Sequence, residues 1–369
     1  MITREQIEQL GQLIHDVNSD KHYWFFRTMG GLYYDEFVSH GFIAIGYDDI
    51  LSKDLRDIPE RDDMARAFLK IRIHEHNKNM TDSQIAKAVG QIIRFYRGLA
   101  IGDVVIAPNH QSKKFAIGII DSDMFEDTGK HIENECPFVK RRRVKWIKEV
   151  WRNELDAKAI LAFSNQQTMS SIDEYADFID RKVSRLYNKG DKTYLALRVN
   201  HEGPLSWDDW NLIGDLGAIF KDFSEENNLG VDLTKIEMKA NVQSPGDIMM
   251  AVATGAGILL AVAAGIIFCI KSKSLKIQYK DVFKLETKSE GLGAVLGAIS
   301  DFLDRNQERK LRAQAAEIKL KKMEMELPEV LKDVIPSQVE EISALPSSLN
   351  PKSIDYNGEY NHDNDHKDG

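Results

Sequence analysis

The sequence predicts an α+β chain that carries one membrane-spanning helix and then a long C-terminal helix. Three observations lead there. Short β-rich runs alternate with segments of helical period over the first 243 residues. Twenty-three uncharged residues then separate Asp247 from Lys271. Beyond them, residues 291–327 are rich in Ala, Glu, Lys, Leu and Arg, with apolar positions too irregular for a regular coiled coil.

Residues 1–155 read as one mixed domain. Ile7, Leu10, Leu13 and Ile14 recur at helical spacing, so the chain starts with an amphipathic helix. This start lacks the apolar core and cleavage site of a signal peptide, so the N-terminal part is expected in the cytoplasm. "GFIAIGYDD" (residues 41–49) is a short strand ended by turn residues. Residues 81–99 form a helix with Thr81 or Asp82 as N-cap and Ile85, Val89, Ile92 and Ile93 on its inner face. "DVVIAP" and "FAIGII" are two strands joined by the polar turn "NHQSKK", and residues 141–151 are another strand-like stretch, with passage into a helix as the alternative. Gly118, inside "AIGII", marks a bulge or a close backbone approach.

Residues 156–243 read as a small α/β domain. "SSIDEYADFIDRKVSRLY" has a helical period, "TYLALRV" reads as a strand, Ser206 caps a helix, and "KIEMKANVQ" alternates as a strand. Ser244-Pro245-Gly246 then breaks the chain. The divisions that follow are a transmembrane helix over 247–270, a strand-like segment and long helix over 271–327, and a disordered tail over 328–369.

Crossing about 30 Å of hydrocarbon takes roughly 20 apolar helical residues, and the uncharged run meets that length. A buried helix or a hairpin is the competing reading. Ala253, Gly257, Ala261 and Gly265 recur every fourth residue, a spacing that lets helices approach closely in lipid. The stripe predicts self-association, hence a homo-oligomer. The expected location is the inner or cell membrane, single-pass, with membrane lipid as a partner. Topology stays open: Lys271, Lys273, Lys276 and Lys280 favour a cytoplasmic C-terminal side, while the large N-terminal region carries no export signal. A helix that inserts only when triggered would satisfy both.

The formal net charge is -9, which excludes a globally basic nucleic-acid binder but not a local patch. Only Cys136 and Cys269 occur, which excludes a disulfide scaffold and a cysteine-rich zinc site. The sequence holds no Walker A loop, dinucleotide-binding Gly-rich loop, His-Glu-x-x-His or Gly-x-Ser-x-Gly elbow. Neither a cofactor nor a metal site is expected. His74 and His76 read as solvated helix residues, His362 and His366 as solvated tail, and the Glu-x-Lys triplets at 237–239 and 286–288 lack the acidic partner strand of a nuclease.

"YWFFRTMGGLYYDEF" (residues 23–37) is the densest aromatic stretch. It precedes Ile45-Gly46-Tyr47, then Gly102-Asp103 with Pro108, then Gly118, then Arg142, Val144 and Trp146. This order, over roughly residues 20–150, resembles the EVE-like branch of the PUA superfamily. The resemblance implies a small β-barrel with helices, whose cleft holds a nucleobase flipped from its stack. It also implies company with modification-dependent restriction and other phage-defence proteins. Beside it stands the chemistry of the side chains. Trp24, Arg27, Thr28, Tyr47 and Trp146 offer stacking, charge and a hydroxyl for ligand binding, and Arg94, Arg97, Arg141, Arg142 and Arg143 are candidate phosphate contacts. The functional expectation is a non-catalytic, membrane-anchored sensor and effector that binds a nucleotide or nucleic acid in antiviral defence. A recognition component of a modified-DNA restriction system and a non-catalytic membrane scaffold are the alternatives.

Overall fold

Two sheets organise the chain, and they divide it differently from its composition. The computed structural model describes residues 4–12, 14–129, 135–155, 157–163, 167–201, 203, 205–230, 232–240, 246–274 and 290–332. The chain opens with α1 (Arg4–Gly11) and β1 (His15–Val17), both of which join the C-terminal unit.

The N-terminal unit is built from β2 (Tyr23–Phe26), α2 (Tyr34–His40), β3 (Phe42–Ile45), α3 (Ser52–Arg56), α4 (Asp62–His76), α5 (Asp82–Ile93), β4 (Val104–Pro108), β5 (Lys114–Ile120), β6 (Phe125–Glu126), β7 (Lys140–Trp151), α6 (Ala157–Ala162) and β8 (Met169–Ser171). Its strands run β3-β7-β5-β4-β2-β8, with β6 on β7, and curl into a half-barrel. The small β/helical architecture expected from the sequence is present at this level.

Strand β2 explains the aromatic density. Successive side chains of a strand point to opposite faces. Tyr23 and Phe25 enter the core beneath α6 and α7 (Ala176–Val183), while Trp24 and Phe26 enter the core shared with α2, α4 and α5. A strand buried on both faces reads as an unbroken apolar run.

Local signals act where the sequence placed them. Thr81 accepts from Gln84 N–H at 3.3 Å, and Gln84 Oε1 accepts from Thr81 N–H at 2.8 Å, a reciprocal cap that starts α5. Gly118 sits at a register shift between β5 and β7, and a Cβ there would lie 2.4 Å from Val144 Cγ1 and 2.7 Å from Trp146 Cε3. Only glycine lets Trp146 lie across that strand.

The C-terminal unit continues from α7 through β9 (Leu186–Lys189), β10 (Lys192–Val199), α8 (Trp207–Trp210), α9 (Leu212–Glu226), β11 (Glu237–Ala240), β12 (Gly246–Ala253), α10 (Ile258–Ser274), α11 (Glu290–Asp304), α12 (Gln307–Lys322) and α13 (Glu329–Lys332). Its sheet runs β1-β9-β10-β12-β11. The helical period read over residues 170–187 holds only for its middle, because Leu186 and Tyr187 belong to β9.

The apolar run is not one helix. Residues 246–253 form the strand β12, inserted between β10 and β11, and the helix α10 begins only at Ile258. Ile248, Met250 and Val252 face the core as alternating strand residues; a short apolar run carries no period that separates strand from helix. The C-terminal helix also divides, at Asn306, whose side chain accepts from Glu308 N–H at 2.8 Å and so caps α12. The strand-like segment expected after Ser274, and the tail beyond Lys332, lie outside the described residues.

Candidate ligand-binding clefts and the apolar helix

Trp24 and Trp146 fall in one cross-strand row: Trp24 pairs with Val105, Val105 with Gly118, and Gly118 with Trp146. Three strand spacings, about 14 Å at 4.8 Å per strand, separate their backbone positions along the sheet. Both lie on the face that packs against α2, α4 and α5, Trp24 buried and Trp146 partly buried. Each also spends its N–H inside the fold. Trp24 Nε1 donates to Asp103 at 2.9 Å and Trp146 Nε1 to the Phe37 carbonyl at 2.7 Å. Asp103 accepts from the His22 and Ala100 N–H groups as well. Thr28 is buried and donates to the Pro108 carbonyl at 2.6 Å. Arg27 closes β2, and its Nε is buried without a hydrogen-bond partner among the described residues.

Tyr47 is half-buried at a φ of 64°, an unusual backbone for an aromatic residue. Lys140 pins that turn. Fully buried, it donates to the Tyr47 carbonyl at 2.6 Å and to the Ile50 carbonyl at 3.0 Å. Burial pushes the Lys140 ammonium below its usual range, with Asp48 working against that shift. Sequence reasoning passed over Lys140. Its only signal was its position at the head of the basic run.

The arginines divide by what they touch. Arg142, 2% exposed, donates to the Phe95, Tyr96 and Ser122 carbonyls at 2.9–3.0 Å. The first two belong to the wider, π-helical turn at residues 94–98 with which α5 ends. Arg97 is held by the Ile58 and Pro59 carbonyls, and Arg94 by the Met169 carbonyl and Gln167. Arg141 lies over the Phe42 ring and pairs with Asp127 at 2.7 Å. Arg143 is exposed beside the Phe125 ring.

Arg141 and Arg143 meet at an open cleft of about 620 Å³ against β7. Phe42, Phe125, His40 and Lys145 line it with them, and so do the carboxylates of Glu36, Asp121, Asp127 and Glu135. Mixed charge of this kind suits a flat group presenting donors and acceptors together, such as a nucleobase edge, better than a bare polyphosphate. Residues 28–175 match the family described as a domain of unknown function (DUF8426). That stretch contains this cleft and all of the first sheet except β2. No curated protein and no solved structure matches the chain.

A second cleft, of about 430 Å³, lies where the two units meet. Beside it sits Asp180, 1% exposed, which accepts from Tyr23 Oη, from Lys189 Nζ at 2.8 Å, and pairs with Lys21 Nζ at 3.2 Å. Burial lowers the Lys21 ammonium, against the pull of Asp180. Burial opposes the charge on Lys189 too, but its bonds to Asp180 and Asp177 outweigh it and raise that ammonium. His22, on the rim, is raised by its hydrogen bond to Asp173. Among the described residues no group of His, Cys, Asp and Glu is arranged to hold a metal ion. His74 and His76 are exposed, and Glu237 pairs with Lys192.

Among the described residues one segment, Thr254–Lys271, is long and apolar enough to cross a membrane, and 72% of it is buried. Within α10, every residue from Leu259 to Ile270 is buried. A helix apolar on all sides needs such a surround; here α1, α9, α11, α12 and the face of β10 and β12 provide it. The small residues meet this chain's own atoms. Gly257 lies against Thr193, and a Cβ at Gly265 would sit 3.0 Å from Ile299 Cδ1. Ala261 is buried, while Ala253 lies on β12 at its exposed end.

A strap from Met323 to Lys332 closes this enclosure. Its Glu326 exchanges backbone hydrogen bonds with Arg198 and takes side-chain bonds from Arg185 and Asn200. Lys271, near the end of α10, donates to the Met325 carbonyl. Glu329 of α13 pairs with Lys148 on β7.

Proposed function

We propose that this chain is a sensor and effector that stores a membrane-competent helix and releases it when the N-terminal unit binds a nucleotide or nucleic acid. The observation that carries this reading is the enclosure of α10 from Leu259 to Ile270 beneath the strap. A span-length apolar segment is kept from water by contacts that include exchangeable ion pairs, Glu326 with Arg185 and Glu329 with Lys148. The cleft of Arg141, Arg143, Phe42 and Phe125 is the ligand site of the proposal. The ion cluster at Asp180 is the joint through which a shift of the first unit reaches the second. Released helices would associate through their small residues in lipid, in the antiviral role that the EVE-like resemblance implies.

The test is flotation of the purified chain with anionic vesicles, with and without a mixed single-stranded oligonucleotide. The proposal requires oligonucleotide-dependent co-flotation and dye leakage. No flotation under either condition sinks it. The fit of Gly257 and Gly265 to Thr193 and Ile299 favours a second reading, a soluble binding protein with α10 as permanent core. Under that reading the oligonucleotide binds and no vesicle associates.

A further inference from the structure

A third cavity, of about 140 Å³, lies in the C-terminal unit between α9 and the sheet. Leu216, Gly217 and Phe220 of α9 face Ile248 and Met250 of β12 across it, and Met325 of the strap closes one side. Every side chain that lines it is apolar. The lining side chains offer a water no polar partner, and apolar cavities near 150 Å³ accept a guest such as benzene.

A second observation is independent of the cavity itself. Gly217 is the sixth residue of α9, in the helix interior, where glycine is disfavoured relative to alanine. A Cβ built on Gly217 meets no atom within 4 Å. Packing therefore does not demand glycine at this position. Its effect is to leave open the helix surface that borders the cavity. Met238, on β11, is 42% exposed and also lines the cavity, so the site reaches the surface beside a movable side chain. Methionines from three separate elements give the walls room to adapt.

We propose that this cavity binds a small hydrocarbon group, the size of a benzene ring or the end of an acyl chain. Gly217 keeps the site open, and any polar part of the ligand stays outside, past Met238. The site belongs to the folded C-terminal unit and does not depend on release of α10.

The experiment uses the full chain without membranes. Fluorobenzene and octanoate are titrated separately and followed by ligand-observed fluorine NMR and by thermal shift. Wild type is expected to show saturable binding of at least one of them, with a dose-dependent rise in Tm. Gly217→Leu is expected to bind at least tenfold more weakly. Gly217→Ala, which keeps the helix and improves its propensity, is expected to melt no lower than wild type and to bind more weakly than it. Tighter binding of octanoate assigns the site to a chain end, and tighter binding of fluorobenzene assigns it to an arene. Absence of saturable binding by wild type, or equal binding by wild type and both variants, overturns the proposal.

Discussion

Gly257→Ala probes the seat of the apolar helix with a single methyl group. The backbone at Gly257, φ -59°, accepts alanine without strain. The obstacle is Thr193: the new Cβ would stand 2.1 Å from its Oγ1 and 2.9 Å from its Cβ. Thr193 is fully buried on β10 and donates to Asn188 Oδ1, so it cannot simply turn away. Overpacking of this kind costs about 1–3 kcal/mol, and the displaced hydrogen bond adds about 1 kcal/mol. Removal of a glycine from the unfolded chain returns about 0.5 kcal/mol. The net expectation is a loss of about 1.5–3.5 kcal/mol, or roughly 3–14 °C in Tm at about 2–4 °C per kcal/mol. Thr193→Ala removes the clashing oxygen, so the double variant should recover about 1–2 kcal/mol relative to the sum of the singles. Circular-dichroism melts of the four proteins give the cycle. An unchanged melt for Gly257→Ala, with weakened self-association in detergent, would refute intrachain packing of the stripe.

Three further outcomes are expected. Arg142→Met leaves the buried Phe95 carbonyl and the half-buried Tyr96 and Ser122 carbonyls without this donor and should lower stability by about 2–4 kcal/mol, whereas Arg143→Ala should leave the melt unchanged and weaken oligonucleotide binding; melts and fluorescence anisotropy separate the two. Asp209 is held down at about 2 by Lys322 first and then by Ser206, so its carboxylate adds stability above its ordinary 3.8 that is lost as pH falls through about 2. Asp209→Asn should therefore flatten the acid limb of the stability profile between about pH 4 and pH 2, measured by urea unfolding at each pH. Glu326→Ala removes the acceptor for Arg185 and Asn200 and should raise vesicle association in the absence of any oligonucleotide, read by flotation.

Features governed by neighbours in sequence were legible. Thr81 and Ser206 both cap helices, because a cap needs only the next three residues. Gly118 is the close approach its place in a β-rich run suggested. Features set by distant partners were not. β1 pairs with β9 across about 170 residues of chain, and nothing near His15 announces Tyr187. The arginines read as phosphate contacts because their carbonyl partners, such as Phe95 for Arg142, lie on other elements. The aromatic stretch read as a binding surface because a strand buried on both faces and a stacking platform share one composition. The apolar run read as a single helix for a similar reason. Uniform hydrophobicity erases the period that would have separated β12 from α10.

Under the proposed function α10 is a core helix in water and reaches lipid only on release. Phe268, 5% exposed in the middle of that helix, is the place to test it. Tryptophan is placed there, and its fluorescence, less that of the wild-type chain, is followed with vesicles carrying brominated acyl chains. Vesicles alone should give no quenching, and strong quenching should follow once the oligonucleotide is added or Glu326→Ala is introduced. Quenching by vesicles at once, or no quenching under any of these conditions, would contradict that function.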